Sequence, residues 1–397
     1  MSEWKRYKLN EIASLSNGIN FDKSAYTSGV KLIGVADFKD RVYPDYGSLQ
    51  EVDSKVVRNG DYLEKGDIVF VRSNGNKELV GRCMMIDRDI PVTFSGFCIK
   101  FHLIDKNKFE PAYFNYLFRT REFKKVMTGT AVGANIQNLS QSRLGNCEIN
   151  VPNIETQREL AIIISRYDSL IENYQKQIKL LEESAQRLYK EWFIDLRFPG
   201  HENTKIVNGV PEGWEKKSIA DLGTYLNGFA FKPSDWQERG KPIIKIKEMG
   251  NGISTDTPRN NGERVPEKYL IKSGDLLFSW SATLMVIVWT GEEGWLNQHL
   301  FKVTPTQGIG REFLLQSISK TITEFSNLTT GSTMKHIQRN KLEQVFVNTP
   351  TSEIMNCYCR IAERQREQIL NISSQIRHLT EARDRLLPKL MNGEIEM

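Results

Sequence analysis

A chain of 397 residues with 39% hydrophobic content has the length for two or three domains and an ordinary globular composition, which excludes disordered and fibrous classes. Its 54 Lys and Arg against 49 Asp and Glu leave a net charge of +5, an excess that permits a polyanionic partner without demanding one. No apolar run approaches the roughly 18 residues of a bilayer span, and the start from Met1 to Tyr7 is polar, so the expectation is a cytoplasmic protein with no membrane partner.

The chain opens on Trp4 to Gly18, WKRYKLNEIASLSNG, which overlies WEKKSIADLGTYLNG from Trp214 to Gly228 at an offset of 210 residues. KLIGVADF from Lys31 then overlies PIIKIKEM from Pro242, and EKGDIVFVRS from Glu64 overlies KSGDLLFSWS from Lys272. Gly66-Asp67 and Gly274-Asp275 punctuate a turn followed by a strand in each copy. Helical stretches are expected at Pro111 to Met127 and Arg311 to Leu328, and TGTAVGANIQ from Thr128 matches TGSTMKHIQ from Thr330. Residues 1–151 and 201–349 therefore read as two similar α+β units, each large enough for its own core.

Each unit is followed by a long helical segment, residues 152–200 including a connector and residues 350–397. In the first, Leu160, Ile164, Tyr167, Ile171, Tyr174, Ile178, Leu181, Ala185, Leu188 and Trp192 alternate in steps of four and three, an unbroken heptad seam. An offset of 198 residues gives Tyr358, Ala362, Gln365, Ile369, Ile372, Ile376, Leu379, Arg383, Leu386 and Leu390, with only Gln365 and Arg383 interrupting it. Two narrow stripes of equal length are satisfied most simply by each other, so an intramolecular antiparallel coiled coil separating the two units in a pseudo-two-fold arrangement is expected. Ordinary amphipathic helices on two separate cores would carry wider apolar faces and run to roughly three turns. Thr156 followed by Glu159 has capping-box spacing at the first helix, whereas Ile354 stands where that threonine would recur. Leu196 to Trp214, rich in Gly, Pro and Asn, is the connector.

Enzyme signatures are missing: no phosphate-binding G-x-x-x-x-G-K-[ST], no G-x-G-x-x-G, no G-x-S-x-G, no H-E-x-x-H and no Asn- or Asp-Pro-Pro-aromatic methyltransferase motif. Pro44-Asp45 followed by Asp53-Ser54-Lys55 imitates the carboxylate and lysine set of a metal-dependent nuclease, but it is short and has no counterpart in the second unit. The five histidines and five cysteines are scattered, so neither a metal site nor a disulfide framework is expected. What remains are loops of a kind that read nucleic acid. Arg72, Ser73, Asn74, Asn76 and Lys77 follow the first Gly-Asp strand, and Ser279, Trp280, Ser281 and Thr283 follow the second. A later pair carries Asn135, Gln137, Asn138 and Arg143 in one unit and Lys335, His336, Gln338 and Arg339 in the other. Arg and Asn can pair bidentately with guanine and adenine edges, while Ser and Thr serve phosphates; a solvated hairpin turn is the simpler alternative for any one of them.

The runs YKEWFIDLRFPG from Tyr189 to Gly200 and LLPKLMNGEI from Leu386 to Ile395, with the duplicated Trp-to-Asn-Gly opening and Gly-Asp strand, resemble the boundary stretches of specificity subunits of type I restriction-modification systems. That resemblance covers the whole chain. It implies two target-recognition domains, each reading half of a bipartite double-stranded DNA sequence across a gap fixed by the coiled coil. It also implies two partner methylation subunits that carry S-adenosylmethionine and methylate adenine N6, and, in a larger complex, two restriction subunits using ATP and magnesium. This chain itself would hold no cofactor and catalyse nothing. Two other readings stay open: a stand-alone nuclease using Asp45, Asp53 and Lys55, and a coiled-coil assembly protein that does not bind DNA.

Overall fold

A computed structural model describes residues 4–38, 41–73, 79–128, 138–328 and 339–395. The chain divides into two compact units, Met1–Leu170 with Leu379–Met397, and Ile171–His378. Both divisions fall inside long helices, so each unit owns one end of each helix.

Along the first unit run β1 (Lys5–Lys8), α1 (Leu9–Ile12), β2 (Ala13–Asn17), β3 (Tyr26–Ile33), β4 (Gln50–Val52), β5 (Ile68–Val71), β6 (Cys83–Met85), β7 (Val92–Phe94) and β8 (Cys98–Leu103). After them come α2 (Pro111–Leu117), α3 (Arg121–Thr128), α4 (Gln141–Gly145), β9 (Glu148–Val151) and the opening of α5 (Ile154–Tyr189). Strands β2-β8-β5-β6 form an antiparallel sheet, and β4-β3-β7 form a second in which β3 and β7 are parallel. β1 pairs with β9, Lys5 facing Val151, which brings the two ends of the unit together.

The sequence IVFV of β5 is buried throughout because each face of the strand meets a different core. Ile68 and Phe70 point into the cluster with Phe101, Phe114 and Phe118, whereas Val69 and Val71 point into the one with Ile33, Phe38 and Phe94. A strand walled on both faces reads as a continuous apolar run instead of an alternating one. The expected helix Pro111 to Met127 is broken into α2 and α3, because Thr120 turns its hydroxyl to accept from the Phe123 amide (3.1 Å) and starts a new helix.

The second unit repeats the design with β10 (Ile206–Val207), β11 (Val210–Pro211), β12 (Glu215–Ser218), β13 (Gly223–Asn227), β14 (Lys241–Ile244), α6 (Ile246–Asn251), β15 (Arg259–Asn260) and β16 (Leu270–Ile271). It continues through β17 (Leu276–Ser279), β18 (Met285–Val288), β19 (Gly294–Leu296), β20 (Leu300–Pro305), α7 (Arg311–Leu328), β21 (Phe346–Thr349) and the opening of α8 (Ser352–Met391). β13-β20-β17-β18 matches β2-β8-β5-β6, β12-β21 matches β1-β9, and β15-β14-β19 matches β4-β3-β7 down to the one parallel pairing. The fourth strand β16 has its echo in the first unit as the single bridge from Tyr62 to Thr93.

The repeated Gly-Asp turn has one cause in both units. Gly66 and Gly274 take φ of 93° and 98°, where a Cβ is strained, and the aspartate after each accepts from the backbone amide three residues earlier, Glu64 or Lys272, at 2.8 Å.

The helix starts differ from the expected capping box. Asn153, not Thr156, caps α5, its Oδ1 accepting from the Thr156 amide at 2.9 Å. Thr351, the residue at the same place in the repeat, accepts from the Ile354 amide at 3.5 Å, so the second helix keeps a weaker version of the same cap.

Within the first unit, Leu160 and Ile164 of α5 share a core with Leu386, Leu387 and Leu390 near the end of α8, and Arg383 reaches Asp168 at 2.6 Å. Within the second, Tyr189 near the end of α5 packs on Tyr358 near the start of α8, and Gln365 donates to Ser184 Oγ at 3.0 Å. The helices are antiparallel in each unit. Each polar seam residue therefore finds a partner across the pair, although Gln365 Oε1 stays buried without a hydrogen bond. Of the expected seam, Ile164, Ile171 and Ile369 are buried and Tyr167, Tyr174, Ile178, Leu181, Ile372, Ile376 and Leu379 are half-buried.

α5 ends in a π-turn, Lys190–Ile194, that swings Trp192 and Phe193 into the second unit's core. Phe193 meets Phe313 and Tyr358 at 4.9 Å and Trp214 at 5.8 Å. In the first unit Leu390 and Met391 of α8 take that place in the core, and Trp4, the counterpart of Trp214, lies against Gly393, where an added Cβ would lie 3.0 Å from the indole.

Candidate nucleic-acid interface

Three loops of the first unit converge at one end of the β2-β8-β5-β6 sheet. The first is the Asn17-Gly18 turn after β2, where the Ile19 amide donates to Phe94 O (2.9 Å) and the Gly96 amide to Ile19 O (2.7 Å). The second is the Ser95–Phe97 turn between β7 and β8, and the third begins at Arg72, whose amide donates to Phe97 O at 2.8 Å. The segment after the undescribed stretch joins them, because Ser73 bridges Asn138 and the Leu139 amide donates to Arg72 O at 2.8 Å.

The approach is close enough to demand glycine. A Cβ on Gly18 would lie 2.2 Å from Phe94 O, and one on Gly228 would lie 2.2 Å from Asn297 O. Gly228→Ala is therefore expected to destabilise the second unit by about 1–3 kcal/mol, the usual cost of forced overpacking. Urea unfolding followed by tryptophan fluorescence would measure it, and an unchanged midpoint would show that the turn can relax.

The second unit assembles the same three loops with other side chains. Trp280, half-buried, donates its indole N–H to Asn227 Oδ1 (3.2 Å) and lies against His299 with ring centroids 5.8 Å apart. Ser279 and Ser281 are buried, and the Ser279 hydroxyl donates to the carbonyls of Ser281 (3.2 Å) and Thr283 (2.8 Å). Those two serines hold the loop's shape, while Thr283 is exposed beside Ala282, whose φ of 55° marks a tight bend.

Of the residues expected from the sequence, Arg72 and Ser73 are half-buried in the junction, Asn138 is exposed on it, and Arg143 lies on α4, its Nε donating to Met127 O at 2.9 Å. Asn74, Asn76, Lys77, Asn135, Gln137, Lys335, His336 and Gln338 lie outside the described residues, and Arg339 opens the 3₁₀ turn Arg339–Gln344. Sequence reasoning passed over Asn17, Phe97, Asn227 and His299. The sequence signal that points to them is the duplicated Asn-Gly turn together with the residues that face it.

The nuclease-like carboxylates have local work instead. Asp45 pairs with Arg41 at 2.7 Å, and that guanidinium holds its carboxyl below the usual range. Asp53 caps a 3₁₀ turn by accepting from the Lys55 amide at 2.9 Å. Burial pushes the Cys83 and Cys147 thiols up to about 11 and Cys98 to about 12, far from thiolate chemistry at neutral pH. Among the described residues no three His, Cys, Asp or Glu side chains gather as a metal site would require, and no helix is long and apolar enough to cross a membrane.

The family model described as the type I restriction modification DNA specificity domain matches residues 1–183 and 211–380. The chain is similar to the type I restriction enzyme HindI specificity subunit of Haemophilus influenzae, 25% identical with 100% of each chain covered. It is also similar to the MjaIX specificity subunit of Methanocaldococcus jannaschii, 26% identical over 75% of this chain and 72% of that one. The crystal structure of a type I restriction-modification S subunit from M. genitalium shares the fold with a TM-score of 0.56 at 14% identity, covering 100% of this chain and 97% of that one.

Proposed function

The chain belongs to the type I restriction-modification DNA specificity family, and on that premise we propose that each unit reads one half of a bipartite duplex target while the paired helices set the unread gap between the halves. The observation that carries this reading is the pair of three-loop junctions, built on one backbone frame and furnished differently: Arg72, Phe97 and Asn138 in one, Trp280, His299 and Thr283 in the other. A shared frame with divergent tips suits two readers of unlike sequence. The same helices are proposed to dock two methylation subunits, which bring S-adenosylmethionine and modify adenine N6. Restriction subunits, where present, bring ATP and magnesium. The chain would then act without catalysing, in the cytoplasm where those partners meet DNA, and its mild positive charge is compatible with a surface that grips only at its reading loops.

Inserting four residues into the middle of α5 and of α8 adds about 6 Å to each helix. The expected result, from mapping modified adenines after reconstitution with the methylation subunits, is a longer unread gap with both half-sites kept. A change in the half-sites themselves would contradict the division of labour.

A further inference from the structure

The Ser95–Phe97 turn displays a side chain that the fold does not use. Phe97 is 61% exposed, although a buried phenylalanine would stabilise the unit. Its backbone, by contrast, is clamped. The Cys98 amide donates to Ser95 O (2.8 Å) to close the turn, the Phe97 amide donates to Ser95 Oγ (3.3 Å), and Phe97 O accepts from both the Arg72 and Ser73 amides (2.8 and 3.3 Å). An apolar ring held on a fixed turn beside Arg72, Ser73 and Asn138 is an apolar tip set among hydrogen-bonding groups. The major-groove edge of a T·A pair has that same make-up, with the thymine 5-methyl set among donors and acceptors. In the second unit the residue immediately before β20, as Phe97 stands immediately before β8, is His299, a hydrogen-bonding ring leaning on Trp280.

Resting on the proposed function, we infer that Phe97 is a specificity-determining residue of the first unit, making the apolar contact to a thymine methyl in the half-site that unit reads. The half-site must then contain a T·A pair at that place. The assay is binding of the full chain, reconstituted with its methylation subunits, to duplexes carrying its mapped target. Deoxyuridine in place of that thymine removes only the methyl group and is expected to weaken binding by the wild type roughly ten-fold. Phe97→Ala is expected to show the same loss on thymine DNA, no further loss on deoxyuridine DNA, and no change at the other half-site. Phe97→Leu is expected to restore part of the discrimination, and the melting temperature of both variants to stay at the wild-type value, because the side chain is exposed.

Three results would overturn the inference: Phe97→Ala binding as the wild type does, Phe97→Ala weakening binding to every sequence equally, as a non-specific wedge or a protein contact would, and deoxyuridine without effect anywhere in the half-site. If the wild-type complex instead marks no bipartite sequence at all, the reading of function itself fails and takes this inference with it.

Discussion

Arg366→Ala is expected to destabilise the second unit by about 3–5 kcal/mol, the cost of leaving a buried charge without its partner. Glu312 is wholly buried on α7, and Arg366 on α8 grips it with two hydrogen bonds, Nε to Oε1 at 2.8 Å and an NH2 group to Oε2 at 3.2 Å. Arg311 and Glu363 continue the network, 2.6 Å apart. Burial already pushes the Glu312 carboxyl above the usual range, with Arg366 opposing it. Without the guanidinium the penalty is opposed only by Arg311. Six of the chain's seven tryptophans, all but Trp4, lie in this unit, so fluorescence during urea unfolding reports on it directly.

The variant also carries a pH signature. A carboxyl whose folded pKa lies above its unfolded value binds a proton in the folded state first, so stability is lost as pH rises through the folded pKa. Arg366→Ala should therefore regain stability as pH falls from neutrality toward the usual glutamate range. The double variant Arg366→Met with Glu312→Leu should recover most of the loss at neutral pH, since an apolar pair of similar size often replaces a buried ion pair without penalty. A loss below about 1 kcal/mol in the single variant would mean that water or a neighbour compensates Glu312, and the ion pair would not be what seats α7 on α8.

The second large effect is on recognition. Exchanging residues 201–349 for the equivalent unit of another specificity subunit is expected to replace one half-site completely, leaving the other half-site and the gap unchanged. The fold favours such an exchange because β12 and β21 are paired, Glu215 facing Thr349, so the segment enters and leaves at one place. Several contacts cross the graft, among them the packing of Phe313 on Phe193, the Arg311–Glu363 pair and the buried ion pair, in which Glu312 is exchanged while Arg366 stays. A donor lacking an acid there should give a folded but weakened protein, and restoring the acid should rescue it. Adenine mapping distinguishes the outcomes, and a chimera that altered both half-sites would show that the units do not read independently.

The long helices and the duplication were legible because a heptad seam is a local pattern and both copies keep its register. The Gly-Asp turns were legible for the same reason, a fixed φ and a short-range hydrogen bond. The sheet order was not, since nothing local in KLIGVADF says that β3 runs parallel to β7, and the register came only from side chains distant in sequence. The cap at Asn153 was missed because Thr156 and Glu159 offered a competing pattern three residues on. Gln365 and Arg383 read as breaks in the seam until Ser184 and Asp168 were seen opposite them. The candidate loops are legible from Arg72 and Trp280 outward, whereas Phe97 is not. An exposed phenylalanine in a turn is invisible to a search for polar base-reading residues.

If one chain reads two separated pieces of one duplex, the marks left on DNA must show it. Genome-wide mapping of modified adenines in DNA exposed to the wild-type chain with its methylation subunits tests it most directly. The expected result is a single discontinuous sequence, two defined stretches divided by a gap of constant length with no base preference. A continuous motif, or a gap that varies from site to site, would contradict it.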